Sequence, residues 1–296
     1  MQPFYILSLD GGGLRGIFEA KLLQLIQENC ELPEFGLVAG TSTGSILGSA
    51  FALNVDLNHM LALYLGAEDT IFKKRFFIGP RILERAIKSP YDNLRLRAAL
   101  RQVFGRRHIL NVTMPLVIPT TNLEHSDAFV FTSYDEEMKN TLLYDAIMAS
   151  CCAPTYFDPF KFNGRLLADG GLHSNNPSVI AISEAVKALK VPLENIKVMS
   201  IGTGHFLHCY DHNIESWGII NGWKGNILVE FITTLNGEAI NQCAERLLPD
   251  GNLLRLNFKS DDLIAPDDFA QTNHLLNLAI ECFEQRKDEI QSFFRE

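Results

Sequence analysis

The chain of 296 residues is 47% hydrophobic and carries a formal net charge of −9; that is ample for a buried core at the upper end of one domain, and the acidic balance argues against nucleic acid as a partner. No run is long and apolar enough to read as a membrane-spanning helix. The cysteines at 30, 151, 152, 209, 243 and 282 follow no regular spacing and the N-terminus has neither a basic region nor a small-residue cleavage site, which predicts free thiols in a cytoplasmic setting, with export by a route that leaves no N-terminal mark as the alternative.

Phe4 to Leu9 is an apolar run of strand length, and Ile17 to Gln27 places apolar residues at 18, 22, 25 and 26, a helical period. The DGGGLRG between them is therefore a strand-to-helix turn, whose bare N–H groups at a helix N-terminus form an anion site. Two uses compete. Gly11, Gly13 and Gly16 fit a dinucleotide fingerprint, with Glu31 or Glu34 as the ribose acid. The amides of Gly11, Gly12 and Gly13 equally fit an oxyanion hole. Arg15 leaves the same turn, suited either to a substrate phosphate or, more plainly, to locking the loop against a carboxylate.

Phe35 to Ala39 is a second strand, followed by GTSTG and a helix over Ile46 to Leu53. Strand, G-x-S-x-G and helix make a nucleophile elbow. Ser42 stands on its sharp turn, Gly40 and Gly44 leave room for the backbone, and the positive helix end faces the developing alkoxide. Residues 71–80, IFKKRFFIGP, interleave Phe72, Phe76 and Phe77 with Lys73, Lys74 and Arg75. They fit a peripheral contact with a membrane through Phe72–Phe77, or a core-packing loop with its charges in water. Asp92 to Phe104 and Leu142 to Ser150 read as helices, and Phe129 to Thr132 as a strand. Cys151 and Cys152 fall in an apolar stretch and read as core.

In LLADGGLHSNNP, Asp169 ends a short apolar run ahead of Gly170 and Gly171, and Asn176 stands at an N-cap with Pro177 opening a helix over Ser178 to Leu189. A strand end is where open α/β sheets gather their chemistry, so Asp169 is the candidate base; a turn aspartate bonding its own backbone is the alternative. Lys197 to Ile201 and Leu253 to Phe258 read as strands. HFLHCYDH, residues 205–212, has ligand types suited to zinc in His205, His208, Cys209, Asp211 and His212. Its spacing fits no standard site, and a polar loop beside the cleft is the plainer reading. His205, His208, His212 or His274 would also complete the Ser…Asp…His order of α/β-hydrolases. Leu275 to Phe294 has the pattern of an amphipathic docking helix.

DGGGLRG, GTSTG and DGG, together with ASCCAPTYFDP (149–159), NNP (175–177) and MSIGTG (199–204), resemble the patatin-like phospholipases over roughly residues 4 to 204. The resemblance implies an α/β fold, a three-layer α/β/α sandwich with a mainly parallel central sheet in a single domain over 1–296. It implies a lipid acyl hydrolase of the phospholipase A or lysophospholipase type, acting on phospholipid or another acyl-ester lipid without a cofactor. Its site would be a Ser42–Asp169 dyad without histidine, forming an acyl-enzyme whose oxyanion is held by the Gly11–Gly13 backbone. An acyltransferase using the same acyl-enzyme, and a Ser–His–Asp esterase, are the alternatives. An unperturbed aspartate is a feeble base for a serine, so the dyad is expected to rely on a short hydrogen bond and on oxyanion support rather than on a matched pKa.

Overall fold

The computed structural model describes residues 3–74, 89–207, 210, 213–218, 222–223 and 225–295. The strands in chain order are β1 (Phe4–Leu9), β2 (Phe35–Gly40), β3 (Leu116–Asn122), β4 (Asp127–Thr132), β5 (Phe160–Phe162), β6 (Arg165–Asp169), β7 (Ile196–Ile201), β8 (His205–Phe206), β9 (Leu253–Leu256) and β10 (Lys259–Ser260). The helices are α1 (Gly16–Asn29), α2 (Thr43–Ala52), α3 (Leu57–Leu65), α4 (Ala67–Thr70), α5 (Asn93–Phe104), α6 (Leu143–Ser150), α7 (Gly171–Ser174), α8 (Ser178–Lys187), α9 (Gly225–Leu247) and α10 (Thr272–Arg295).

The main sheet runs β5-β6-β3-β2-β1-β7-β9, with β4 paired to β3, while β8 and β10 form a separate short ladder. Pairing is parallel from β3 through β2, β1 and β7 to β9, and antiparallel for β4, β5 and β6. The sheet is thus mostly parallel but mixed. The parallel strands β1, β2 and β7 are buried on both faces, as such strands require. Leu7, Leu9, Val38, Met199 and Ile201 point into one core, built with α1, α2, α3, α5, α6 and α10. Ile6, Leu37, Ala39 and Val198 point into the other, closed by Ala181, Ile182 and Ala185 of α8 and by Ala244 of α9.

The predicted elements are present, with shifted ends: α2 begins at Thr43 rather than Ile46, and the strand from Leu253 stops at Leu256. Asp92 caps α5 by accepting the Leu94 N–H at 2.9 Å, and Asn176 Oδ1 accepts the Ser178 N–H at 2.9 Å at the start of α8. The C-terminal helix docks. Leu275, Ala279, Phe283, Ile290 and Phe293 are buried, and the Tyr5 ring meets Phe293 and Phe294 edge-on at 6.0 Å. Among the described residues no helix is long and apolar enough to cross a membrane.

One irregularity of the sheet brings the candidate site residues together. Val117 pairs with Ala39 of β2 and Thr132 of β4, while Thr120 pairs with Asp169 of β6 and Phe129 of β4. A strand has only two edges, so β2 and β6 share the β3 edge opposite β4. The former runs parallel to β3 and the latter antiparallel, so their C-terminal ends point at one another. Ile118 and Pro119, which pair with β4 alone, lie at the gap between them. A proline is tolerated there because one of its edges carries no ladder.

Candidate active site

Across that gap Ser42 meets Asp169. The serine occupies the turn between β2 and α2 with φ 52 and ψ −121, a backbone region that L residues rarely enter. Two glycines make the turn possible: a Cβ on Gly40 would run into the Gly44 carbonyl, and one on Gly44 into the Leu9 carbonyl. The elbow therefore packs backbone on backbone against the end of β1, which only hydrogen in place of a side chain allows. Gly16 opens α1 against the Thr43 side chain.

Ser42 Oγ donates to Asp169 Oδ2 at 2.6 Å, while Asp169 Oδ1 accepts the Gly171 N–H at 2.7 Å. Gly170 lies against the Pro119 carbonyl, too close for a side chain. Burial raises the Asp169 pKa to about 6, outweighing the Ser42 and Gly171 hydrogen bonds that lower it, and the charge of Glu230 pushes the same way as burial. This carboxylate is therefore better matched to neutral pH than an ordinary aspartate, contrary to the expectation from sequence.

The glycine turn divides its amides. Gly11 departs from its expected part: its N–H donates to the Asn175 carbonyl at 2.9 Å. The amides of Gly12 and Gly13 have no protein partner among the described residues, and both residues line the cleft that holds Ser42. Side chains are excluded here too, since a Cβ on Gly12 would overlap Thr203. Asp10 anchors the start of the turn through a two-pronged bond to Arg255, at 3.0 and 2.6 Å, and Arg255 also reaches Ser200 Oγ at 2.7 Å. Sequence reasoning passed over both residues. The position of Asp10 at a strand end before three glycines is the one signal that could have raised it.

Arg15 is a lock. The residue is 4% exposed; its guanidinium donates to Glu230 Oε2 at 3.0 Å and to the Ile264 carbonyl at 2.8 Å, and lies 5.0 Å over the Phe206 ring. These bonds tie the turn to α9 through Glu230 and to the segment before α10 through Ile264.

The cleft around Ser42 is walled by Ile46, Leu63, Ile71, Phe72, Leu96 and Phe157. Phe72 is turned inward, 5.1 Å from Tyr91 and 5.5 Å from Phe269, while Lys73 and Lys74 are exposed; Arg75, Phe76 and Phe77 lie outside the described residues. Cys151 is more than core, since it lines the cleft with its thiol 3.9 Å from Ser45 Oγ. Cys30, Cys151, Cys152, Cys243 and Cys282 are free thiols.

The rival readings find less. Glu31 and Glu34 precede β2, at the end of the sheet away from the glycine turn, where a ribose bound at that turn would not meet them. The serine bonds the aspartate directly, with no imidazole between them. His205 faces Glu238 at 3.6 Å, His274 is exposed on α10, and His173 faces the Thr120 carbonyl at 3.1 Å. His208, Cys209, Asp211 and His212 lie outside the described residues, among which no group of three or more His, Cys, Asp or Glu side chains could hold a metal.

Comparison with known proteins bears on the family and the fold. A family model for patatin-like phospholipase matches residues 7–182. Patatin-like protein 2 of Oryza sativa subsp. indica is 27% identical over 287 residues, covering 80% of this chain and 71% of its own. The cGAMP-activated phospholipase of Vibrio cholerae serotype O1 is 30% identical over 225 residues, 67% of this chain and 63% of that protein. Among solved structures, VipD from Legionella pneumophila is similar with a TM-score of 0.51 at 11% identity, over 96% of this chain and 67% of that one, a likeness of fold alone.

Proposed function

The chain belongs to the patatin-like phospholipase family, and from that premise we propose that it hydrolyses acyl esters of phospholipids or related lipids through Ser42 and Asp169. Ser42 Oγ attacks the ester carbonyl and its proton passes to Asp169 Oδ2, already 2.6 Å away. The Gly12 and Gly13 amides face the oxyanion of the tetrahedral intermediate, an interaction worth about 3 kcal/mol for each donor. Collapse expels the alcohol, which takes the proton back from Asp169 and leaves an acyl-enzyme. Asp169 then accepts a proton from water as that water attacks, and the free fatty acid leaves Ser42 reprotonated. The apolar walls of the cleft suit an acyl chain, and Lys73 and Lys74 beside it suit the edge of a lipid surface.

The observation that carries this reading is the direct Ser42–Asp169 hydrogen bond at the cleft. Fatty-acid release from a lipid panel by wild type, Ser42→Ala and Asp169→Asn tests it. Both variants are expected to lose on the order of 10³-fold or more in kcat. Release at wild-type rates by Ser42→Ala would remove the mechanism.

A further inference from the structure

Ser42 holds a backbone conformation that a serine keeps only when its surroundings impose it. Its carbonyl is held from within α2, by the Ser45 N–H at 2.9 Å and the Ser45 hydroxyl at 2.6 Å. Its N–H is held from another element. Ser150 Oγ, at the end of α6, accepts that N–H at 2.9 Å and donates its own proton to the Pro119 carbonyl at 2.7 Å. Ser150 is fully buried, and Pro119 lies at the gap between the converging ends of β2 and β6. The same segment reaches the other half of the dyad, for the Cys152 carbonyl accepts the Asp169 N–H at 3.0 Å.

We propose that Ser150 is a positioning residue: it ties the backbone of the nucleophile to the Pro119 carbonyl and so keeps Ser42 Oγ within 2.6 Å of Asp169. It touches neither substrate nor reacting atoms. The inference rests on the reading of Ser42 and Asp169 given above. Removing the hydroxyl leaves the Ser42 N–H and the Pro119 carbonyl buried without this partner. The turn is then free to relax, and relaxation carries Oγ away from the carboxylate.

That displacement has a signature. The Ser42 hydrogen bond lowers the Asp169 pKa, as does the Gly171 N–H, against burial and the charge of Glu230. The thiols of Cys151 and Cys152 also face this carboxylate, and burial keeps them protonated. Loosening Ser42 therefore moves Asp169 to a higher pKa, and the acid limb of kcat/KM follows it upward.

The test compares wild type with Ser150→Ala on a water-soluble p-nitrophenyl ester, with Ser49→Ala as control. Ser49 is also fully buried, on α2, and its hydroxyl has no partner among the described residues. For Ser150→Ala we expect kcat to fall about tenfold or more, KM to stay within about twofold, and the acid limb to move to higher pH, with Ser49→Ala like wild type. Wild-type kcat and limb in folded Ser150→Ala, an unmoved limb beside a lowered Tm, or an equal loss in Ser49→Ala overturns the proposal. Should Ser150→Ala fail to fold, Ser150→Cys, which keeps the shape but bonds weakly, is read by the same outcomes. Ser42→Ala in the same series separates the two levels: activity that survives there removes the dyad, whereas an inert Ser42→Ala beside an unaffected Ser150→Ala removes only the tie.

Discussion

Asp169 is held between two demands. In the proposed mechanism it must be charged to accept a proton from Ser42, yet it is buried where charge is disfavoured, and burial wins by lifting its pKa from the ordinary 3.8 to about 6. The kinetic consequence is a kcat/KM that climbs through about pH 6 and levels above it. A flat profile down to pH 4.5, about where an ordinary carboxylate titrates, would contradict this. The thermodynamic consequence has the opposite sense. A carboxyl whose pKa is higher folded than unfolded binds more protons in the folded state between those values, so its stabilising contribution is full below about pH 4 and is lost as pH rises through about 6. Asp169→Asn, neutral at every pH, escapes that loss. It should unfold at higher urea than wild type at pH 8, by roughly 1–3 kcal/mol, with the gap closing toward pH 4. Equal stabilities at pH 8 would mean that the carboxylate is not strained by burial. A gap at pH 8 would make the proposed base also a residue that costs the fold stability.

At the scale of elements, the sequence is most legible where the pattern is local. β1, α1, β2 and the elbow follow from alternation, helical period and glycines at fixed offsets, all within a few residues of one another. β3 did not, because Pro119 at its centre reads as a strand breaker; it is tolerated only because β2 and β6 leave part of one edge open, a fact of topology rather than of the heptapeptide LVIPTTN. The lock on the glycine turn was half legible. Arg15 could be assigned a carboxylate partner, but Glu230 is 215 positions away on α9, a helix for which no period was recognised, and no local rule connects the two. The pairing carries its own prediction. Glu230→Gln leaves the guanidinium of the buried Arg15 without its counter-charge, and removing one partner of a buried pair costs about 3–5 kcal/mol. The same change withdraws a negative charge that raises the Asp169 pKa. Glu230→Gln should therefore lower Tm while moving the acid limb of kcat/KM to lower pH, opposite in direction to Ser150→Ala. A limb that moves upward, or does not move, would mean that Glu230 acts on the turn alone.

For the whole molecule, the cleft is the feature that no segment contains. Its lining comes from the glycine turn at Gly12, from α2, from Leu63 and Ala67 of α3 and α4, from Leu96 of α5, from Cys151 and Phe157 after α6 and from Val229 of α9, and these meet only because the sheet brings its C-terminal ends together. Composition could announce a large core but not that part of the apolar surface stays open as a wall. If the walls receive an acyl chain, each methylene buried contributes about 0.8 kcal/mol, close to fourfold in kcat/KM for every carbon that finds room. Soluble p-nitrophenyl esters of rising chain length should then gain by about that factor until the cleft is full, and level off beyond it. Ala67, 3% exposed and part of the lining, is the small residue to fill. Ala67→Leu should bring the plateau to a shorter chain while leaving the shortest ester within about twofold of wild type, since the added methyls stand in the wall and not at Ser42. An equal loss on all chain lengths would instead mean a disturbed site. A chain-length series that shows no gain even in wild type would mean that the acyl group lies elsewhere.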